Sequence, residues 1–86
     1  MKQDPKELII RAQRKLKEVT FDFGSAFASY YRHRIDNLCL EILNSLENRD
    51  ETTLDRAQAN LQDVLYELDR EVRLQYDDAE WNINFT

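Results

Sequence analysis

Two side chains that could do chemistry lie close together near the middle of the chain. His33 is the only histidine, and Cys39, six positions further along, is the only cysteine. On a helix that spacing turns the two side chains to different faces, so they do not form a zinc site, which needs several ligands around one ion. The apolar neighbours Leu38 and Leu40 predict that Cys39 is a small buried side chain and not an activated thiol.

The sequence lacks the residues that nucleotide binding or acid–base catalysis would need. The chain contains one glycine, which is too few for a loop that holds phosphate through clustered backbone N–H groups. Carboxylates are plentiful, but Asp63, Glu67 and Arg70 follow one another at helical spacing, which is typical of ion pairs on a solvated face. We therefore predict no catalytic residue, no metal site and no cofactor in this chain.

The most distinctive surface sequence joins aromatic and basic side chains. Residues 30–34 are Tyr-Tyr-Arg-His-Arg, and such a patch can meet nucleic acid or an acidic protein segment. Tyr31 belongs at helical spacing to a buried stripe, so a purely structural role is the main alternative. Tyr30, Arg32 and Arg34 are the candidate partner surface. The net charge of −5 argues against general nucleic-acid binding.

The elements that position these residues are predicted to be helices. The chain has 86 residues, 42% hydrophobic and 34% charged, with one glycine and one proline. This composition suits helices and leaves few places for hairpin turns, and the length allows a single domain. The sequence contains no apolar run of the roughly 18 residues that a membrane span needs. We expect a cytoplasmic protein that does not contact a membrane.

The sequence marks the start of the first helix and allows two alternatives for its end. Asp4 is the predicted N-cap, and the proline that follows it suits the first helical position. Weak helix formers collect between Val19 and Ser25, around the single glycine, Gly24. We predict a bend or break there. The alternative is one continuous helix from residue 5 to residue 47, a rod of about 60 Å that would have to dimerise.

Two further helices are predicted, joined by a short polar turn at residues 48–53 with Asp50 as the helix cap. Short connections make neighbouring helices antiparallel, so the fold class is all-α: an antiparallel bundle of three helices, or a hairpin of long helices if the bend straightens. Leu40 and Leu43 widen the apolar stripe of the second helix, which predicts that it is the central one. The predicted core residues lie three, four, seven or eight positions apart within each helix, which places them on one face: Leu8, Leu16, Val19, Phe27, Ile35, Leu38, Ile42, Leu46, Leu54, Leu61, Leu65 and Leu68.

Charge is distributed unevenly along the chain. Residues 1–46 carry eight basic and six acidic side chains (+2), whereas residues 47–86 carry four and eleven (−7). This difference predicts attraction between the first and last helices and an antiparallel arrangement of the two. We predict that the bundle spans residues 1–80 and that residues 81–86 form a flexible polar tail.

The segments around the second turn resemble a known family. Residues 42–50 are Ile-Leu-Asn-Ser-Leu-Glu-Asn-Arg-Asp, and Leu54 and a leucine repeat from Leu61 to Leu68 follow them. This arrangement is similar to the C-terminal helical lid of DnaK-type, seventy-kilodalton heat-shock chaperones. Residues 7–13, Glu-Leu-Ile-Ile-Arg-Ala-Gln, resemble the end of that family's long lid helix. The ending, residues 82–86, differs from the Glu-Glu-Val-Asp motif that binds helper proteins in some members.

The resemblance implies that the chain is an expressed piece of a larger stress-response chaperone. In that family the lid closes over an unfolded client peptide held in a β-sandwich domain, ATP is bound and hydrolysed in another domain, and co-chaperones act on the whole protein. The lid itself carries no catalytic site. The alternative is a free-standing helical interaction module that forms a homodimer through its long apolar stripe and recruits partners with its acidic end. If the bend near Gly24 straightens, the stripe from Leu8 to Phe23 is exposed and available for pairing between chains.

Overall fold

Three helices form the part of the chain that the structure describes. This structure is a computed structural model, which describes the backbone of residues 4–85 and the side chains of residues 4–77. Helix α1 is Pro5–Phe23, α2 is Ser25–Asn48 and α3 is Glu51–Phe85, and no strand occurs within the described backbone. The prediction of an all-α bundle of three helices is confirmed.

Helix α1 begins and ends at the residues that the sequence singles out. The Asp4 carboxylate accepts a hydrogen bond of 2.9 Å from the backbone N–H of Lys6, which is a helix cap. At the other end Gly24 has φ 93° and ψ 166°, a conformation that side-chain-bearing residues avoid. Its N–H donates to the Thr20 carbonyl at 2.9 Å, and its carbonyl accepts from the Ala28 N–H at 3.2 Å. The predicted break at Gly24 is confirmed, and the continuous rod does not form.

A second short connection joins α2 to α3. Arg49 adopts a left-handed conformation, with φ 56° and ψ 37°. The Asp50 N–H donates to the Ser45 carbonyl at 2.9 Å, which satisfies a carbonyl at the end of α2. The Asp50 carboxylate accepts hydrogen bonds from the Thr53 hydroxyl at 2.6 Å and from the Thr53 N–H at 3.2 Å. Asp50 therefore ends one helix and caps the next.

The two connections each reverse the chain, so α1 and α3 run parallel to one another. Lys15 forms an ion pair of 2.8 Å with Asp69, and Asp22, seven residues further along α1, accepts a 3.3 Å hydrogen bond from Tyr76, seven residues further along α3. The predicted antiparallel arrangement of the first and last helices is wrong. Exposed charges contribute little per pair, and they do not outweigh the topology set by two short connections.

The core lies along the line where the three helices meet. Four of the predicted core residues, Phe27, Leu38, Leu46 and Leu54, are only partly buried and pack against the others. Small side chains also enter the core, among them Ala28 and Ser45, which a pattern of large apolar residues does not reveal. The predicted core residues that are buried are Leu8, Leu16, Val19, Ile35, Ile42, Leu61, Leu65 and Leu68.

Helix α2 packs against both other helices and is central, as predicted. However, Leu40 and Leu43 do not widen its buried face, because Leu40 is 60% exposed and Leu43 is 45% exposed. The two neighbouring helices cover the opposite side of α2, where Ile35 and Ile42 are fully buried. Apolar side chains of α2 thus lie both in the core and on the solvent-exposed surface.

The remaining predictions concern the end of the chain and the membrane. The predicted tail of residues 81–86 lies beyond the last described side chain, so it stays a prediction. Within the described residues, none of the helices combines the length and the apolar character that crossing a membrane requires.

Candidate partner-binding surface

Two of the three predicted surface residues lie side by side on α2 and face α3. The guanidinium of Arg34 donates a 3.2 Å hydrogen bond to the Tyr30 hydroxyl and lies 5.3 Å from the centre of the Tyr30 ring. The same guanidinium forms an ion pair with Glu67 of α3. The hydrogen bond to Glu67 raises the pKa of Arg34 above its ordinary value, so the charge is permanent. This pair ties an exposed aromatic ring to the α2–α3 junction.

The third predicted residue lies on a different side of α2. Arg32 donates a 3.3 Å hydrogen bond to the Thr20 hydroxyl of α1. Two positions separate it from Tyr30 and from Arg34, which corresponds to roughly 200° around a helix. The structure therefore brings Tyr30 and Arg34 together and leaves Arg32 on a separate surface. The predicted patch of residues 30–34 is not one contiguous site.

The surface between α2 and α3 forms a shallow depression of about 310 Å³. Tyr66, which is 75% exposed, forms part of its wall. Tyrosine and arginine are the side chains most often found at the energetic centre of protein interfaces. Equal numbers of acidic and basic groups line the depression, so it suits a protein surface better than a phosphate backbone. The lining residues are Arg34, Asp63, Tyr66, Glu67 and Arg70.

The surface between α1 and α2 forms a wider groove of about 530 Å³. Phe21 is 90% exposed and forms one wall, and the cations Lys17 and Arg32 lie along the groove. The sequence analysis did not single out Phe21. A sequence signal could have identified it. Phe21 lies two positions after the buried Val19, so this aromatic side chain is turned away from the buried stripe.

Aromatic side chains close the end of the bundle near Gly24. The Phe23 ring lies 5.2 Å from that of Phe27 and 5.3 Å from that of Tyr76, measured between ring centres. The Phe27 ring in turn lies 6.3 Å from that of Tyr31. Burial raises the pKa of the Tyr31 hydroxyl, so this side chain stays neutral. The cluster joins all three helices at this end and has a packing role.

The side chains that could be chemically reactive lie in environments that do not activate them. Cys39 is buried, as predicted, and its sulfur lies 3.7 Å from the amide nitrogen of Gln13. Burial raises the pKa of the Cys39 thiol, which is the opposite of activation. Within residues 4–77, the His, Cys, Asp and Glu side chains form no group of three that could hold a metal ion. What the described surface offers is contact area, with aromatic rings beside paired charges.

Comparison with curated proteins gives a consistent set of relatives. The chain is 71% identical over 75 residues to chaperone protein dnaK3 of Synechocystis, an alignment that covers 87% of this chain. It is 48% identical over 73 residues to chaperone protein DnaK of Trichormus variabilis and 40% identical over 73 residues to chaperone protein dnaK3 of Synechococcus elongatus, each over 85% of this chain. No protein-family profile and no solved structure matches the chain.

The aligned region is a small part of each relative. It corresponds to 10% of the Synechocystis protein, 11% of the Trichormus protein and 10% of the Synechococcus protein, at their C-terminal region. The chain thus spans about a tenth of the length of the curated relatives that it matches.

Proposed function

Because this chain belongs to the DnaK chaperone family, as part of its C-terminal region, we propose that it is the helical lid of an ATP-dependent molecular chaperone. The lid closes over an unfolded client peptide that is bound in a β-sandwich domain outside this chain. The observation that carries the proposal is the 71% identity to a chaperone over 87% of the chain.

The shape of the bundle supports gating of the client. Gly24 and Asp50 fix the two connections between its helices. The ion pairs Lys15–Asp69 and Arg34–Glu67 join α3 to the other helices. A body of this kind moves as a unit and blocks the exit of a bound peptide. Blocking the exit slows peptide release more than it adds contacts to the peptide.

The proposal assigns the remaining functions to the parent protein. ATP is bound and hydrolysed elsewhere in the parent, and this chain contributes neither a cofactor site nor a catalytic residue. The partners are unfolded polypeptides and co-chaperones, which act through the parent. The proposed location is the cytoplasm, which fits a chain with one cysteine and therefore no internal disulfide.

The free-standing interaction module finds no support in the comparisons. The apolar stripe through which such a module would dimerise is occupied within the chain, because Leu8, Leu16 and Val19 are buried against the other two helices. A dimer of this kind would require the bundle to open. The lid is the better explanation of the same helices.

The test compares release of a fluorescent client peptide from the parent chaperone with and without residues 1–86. We expect that the truncated parent binds peptide but releases it faster. Equal release rates would rule out gating. A sharper version keeps the length: Leu61→Asp places a charge in the core and opens the bundle, whereas Asn60→Asp places the same charge on the exposed neighbour. The first variant should speed release, and the second should leave it unchanged.

A further inference from the structure

A band of exposed side chains runs along α3 on the side that faces away from the core. Its members recur at spacings of four, three and four residues, with one flanking leucine. Buried Leu61, Leu65 and Leu68 lie on the opposite side of the helix. All members of the band are exposed, and four of them line a depression of about 270 Å³. We call this band the outward stripe: Tyr66, Arg70, Arg73, Leu74 and Asp77.

Charge has a fixed order along the outward stripe. The basic residues Arg70 and Arg73 come first, Leu74 follows, and the acidic residue Asp77 comes last. Within residues 4–77, none of these three charges takes part in an ion pair, whereas Lys15 and Arg34 are paired with acids on α3. A basic residue four positions before an acidic one is the weaker order for a pair within a helix. The charges of the stripe are therefore available to a partner.

An antiparallel copy of the stripe is its electrostatic complement. A two-fold axis that crosses α3 between Arg73 and Leu74 places Arg70 of one copy opposite Asp77 of the second copy, and the reverse at the other end. The same axis brings the two Leu74 side chains together, and each is 46% exposed in the single chain. A parallel copy would instead place like charges against each other, which is unfavourable.

We propose that two copies of this chain associate through their outward stripes, with their α3 helices antiparallel. The occupant of this surface is thus a second copy of the chain. The inference goes beyond the proposed lid function and does not depend on it. It also differs from a dimer through the apolar stripe of α1, because the bundle stays closed and the core is not exposed.

The size of the stripe sets the strength of the association. From Tyr66 to Asp77 the helix rises about 17 Å, and one helix face of that length buries less than the roughly 1,200 Å² of a standard stable interface. The dimer is therefore weak and depends on protein concentration. Because its charges are exposed, raising the salt concentration to 1 M should weaken it.

The experiment measures the mass of the 86-residue chain by sedimentation equilibrium at increasing concentration in low salt. We expect a monomer–dimer equilibrium. Arg70→Glu alone and Asp77→Arg alone each create two like-charge contacts in the symmetric dimer, and each should weaken association at least about tenfold. An equal mixture of the two variants restores opposite charges at both ends, so it should associate like the unchanged chain.

A matched control places the same charge reversal elsewhere. Arg14→Glu is exposed and lies on α1, so it should leave dimerisation unchanged although the net charge changes as it does in Arg70→Glu. Circular dichroism checks that every variant keeps its helices. A chain that stays monomeric at millimolar concentration would overturn the proposal and leave this face to solvent or to another partner. An equal effect of Arg14→Glu, or no association in the mixture, would also overturn it.

Discussion

The two helix connections both reverse the direction of the chain, but different interactions stabilise them. At Gly24 one residue reverses the chain, and it does so in a backbone conformation with φ 93° and ψ 166°. At Arg49 and Asp50 the reversal uses a left-handed residue and a capping carboxylate, with hydrogen bonds from the Asp50 N–H to α2 and from Thr53 to Asp50. The first connection rests on backbone geometry, and the second on several polar contacts.

The difference predicts how each connection tolerates substitution. The conformation of Gly24 is almost exclusive to glycine, so any L-residue there is strained. An added Cβ would meet no atom of the rest of the chain within 4 Å, and the strain would therefore come from the local backbone conformation and not from tertiary contacts. At the second connection the hydrogen bonds are spread over Ser45, Asp50 and Thr53, so the loss of one leaves the others in place. The first connection should therefore be the more sensitive one.

Gly24→Ala is expected to have the largest effect of the connection variants. Holding alanine in this conformation costs about 1–3 kcal/mol, and the helices on either side prevent the backbone from relaxing. Chemical denaturation followed by circular dichroism measures the change in the free energy of unfolding. A loss well below this range would indicate that the connection can adopt another conformation.

A D-alanine at position 24 is the matched control for Gly24→Ala. The mirror image of the observed φ and ψ lies in the extended region that L-residues adopt freely, so a D-residue fits the conformation. A chain synthesised with D-alanine should be at least as stable as the glycine chain, because its unfolded state is more restricted. If L- and D-alanine destabilise the chain equally, the backbone conformation is not the cause.

Much of the fold was predictable because local signals and apolar spacing agree. Asp4, Gly24 and Asp50 mark helix ends through residue types with a known backbone preference. The spacing of large aliphatic residues located most of the core. It failed at Leu40 and Leu43, because spacing along one helix does not tell which sides the two neighbouring helices cover.

The surface was harder to predict, because it depends on how the helices are placed. Tyr30, Arg32 and Arg34 lie within five consecutive residues, but each residue of a helix is turned by about 100° from the one before it, so only Tyr30 and Arg34 share a face. The parallel orientation of α1 and α3 follows from two short connections and not from charge. The outward stripe lies on the solvated side of α3, where no apolar pattern distinguishes it.

Asp50→Ala should lower the melting temperature, though by less than Gly24→Ala. The substitution removes both hydrogen bonds from Thr53, whereas the hydrogen bond from the backbone N–H of residue 50 to the Ser45 carbonyl remains. Thermal unfolding at neutral pH measures the effect. Asp50→Asn keeps an acceptor for the Thr53 N–H, so its melting temperature is expected to lie between those of the unchanged chain and Asp50→Ala.

The same side chain makes stability depend on pH. The hydrogen bond from the Thr53 hydroxyl, followed by that from its backbone N–H, lowers the pKa of Asp50 below its ordinary value of 3.8. The folded state therefore favours the carboxylate, so its contribution is fully present above the unfolded pKa and is lost as the pH falls through the folded pKa. The stability advantage over Asp50→Asn should shrink below about pH 4. A constant difference across this range would contradict the assignment.

Arg49→Gly is expected to have the smallest effect and the opposite sign. The left-handed conformation of Arg49 costs an L-residue about 1–2 kcal/mol, and glycine avoids this cost. The greater freedom of glycine in the unfolded chain cancels roughly 0.4–1 kcal/mol of the gain. We therefore expect a net stabilisation of about 0–1.6 kcal/mol, measured by chemical denaturation. A glycine therefore stabilises this connection by replacing a strained side-chain-bearing residue, whereas at position 24 it is the residue that cannot be replaced. If Arg49→Gly destabilises the chain, the arginine side chain has a stabilising contact that outweighs its backbone strain.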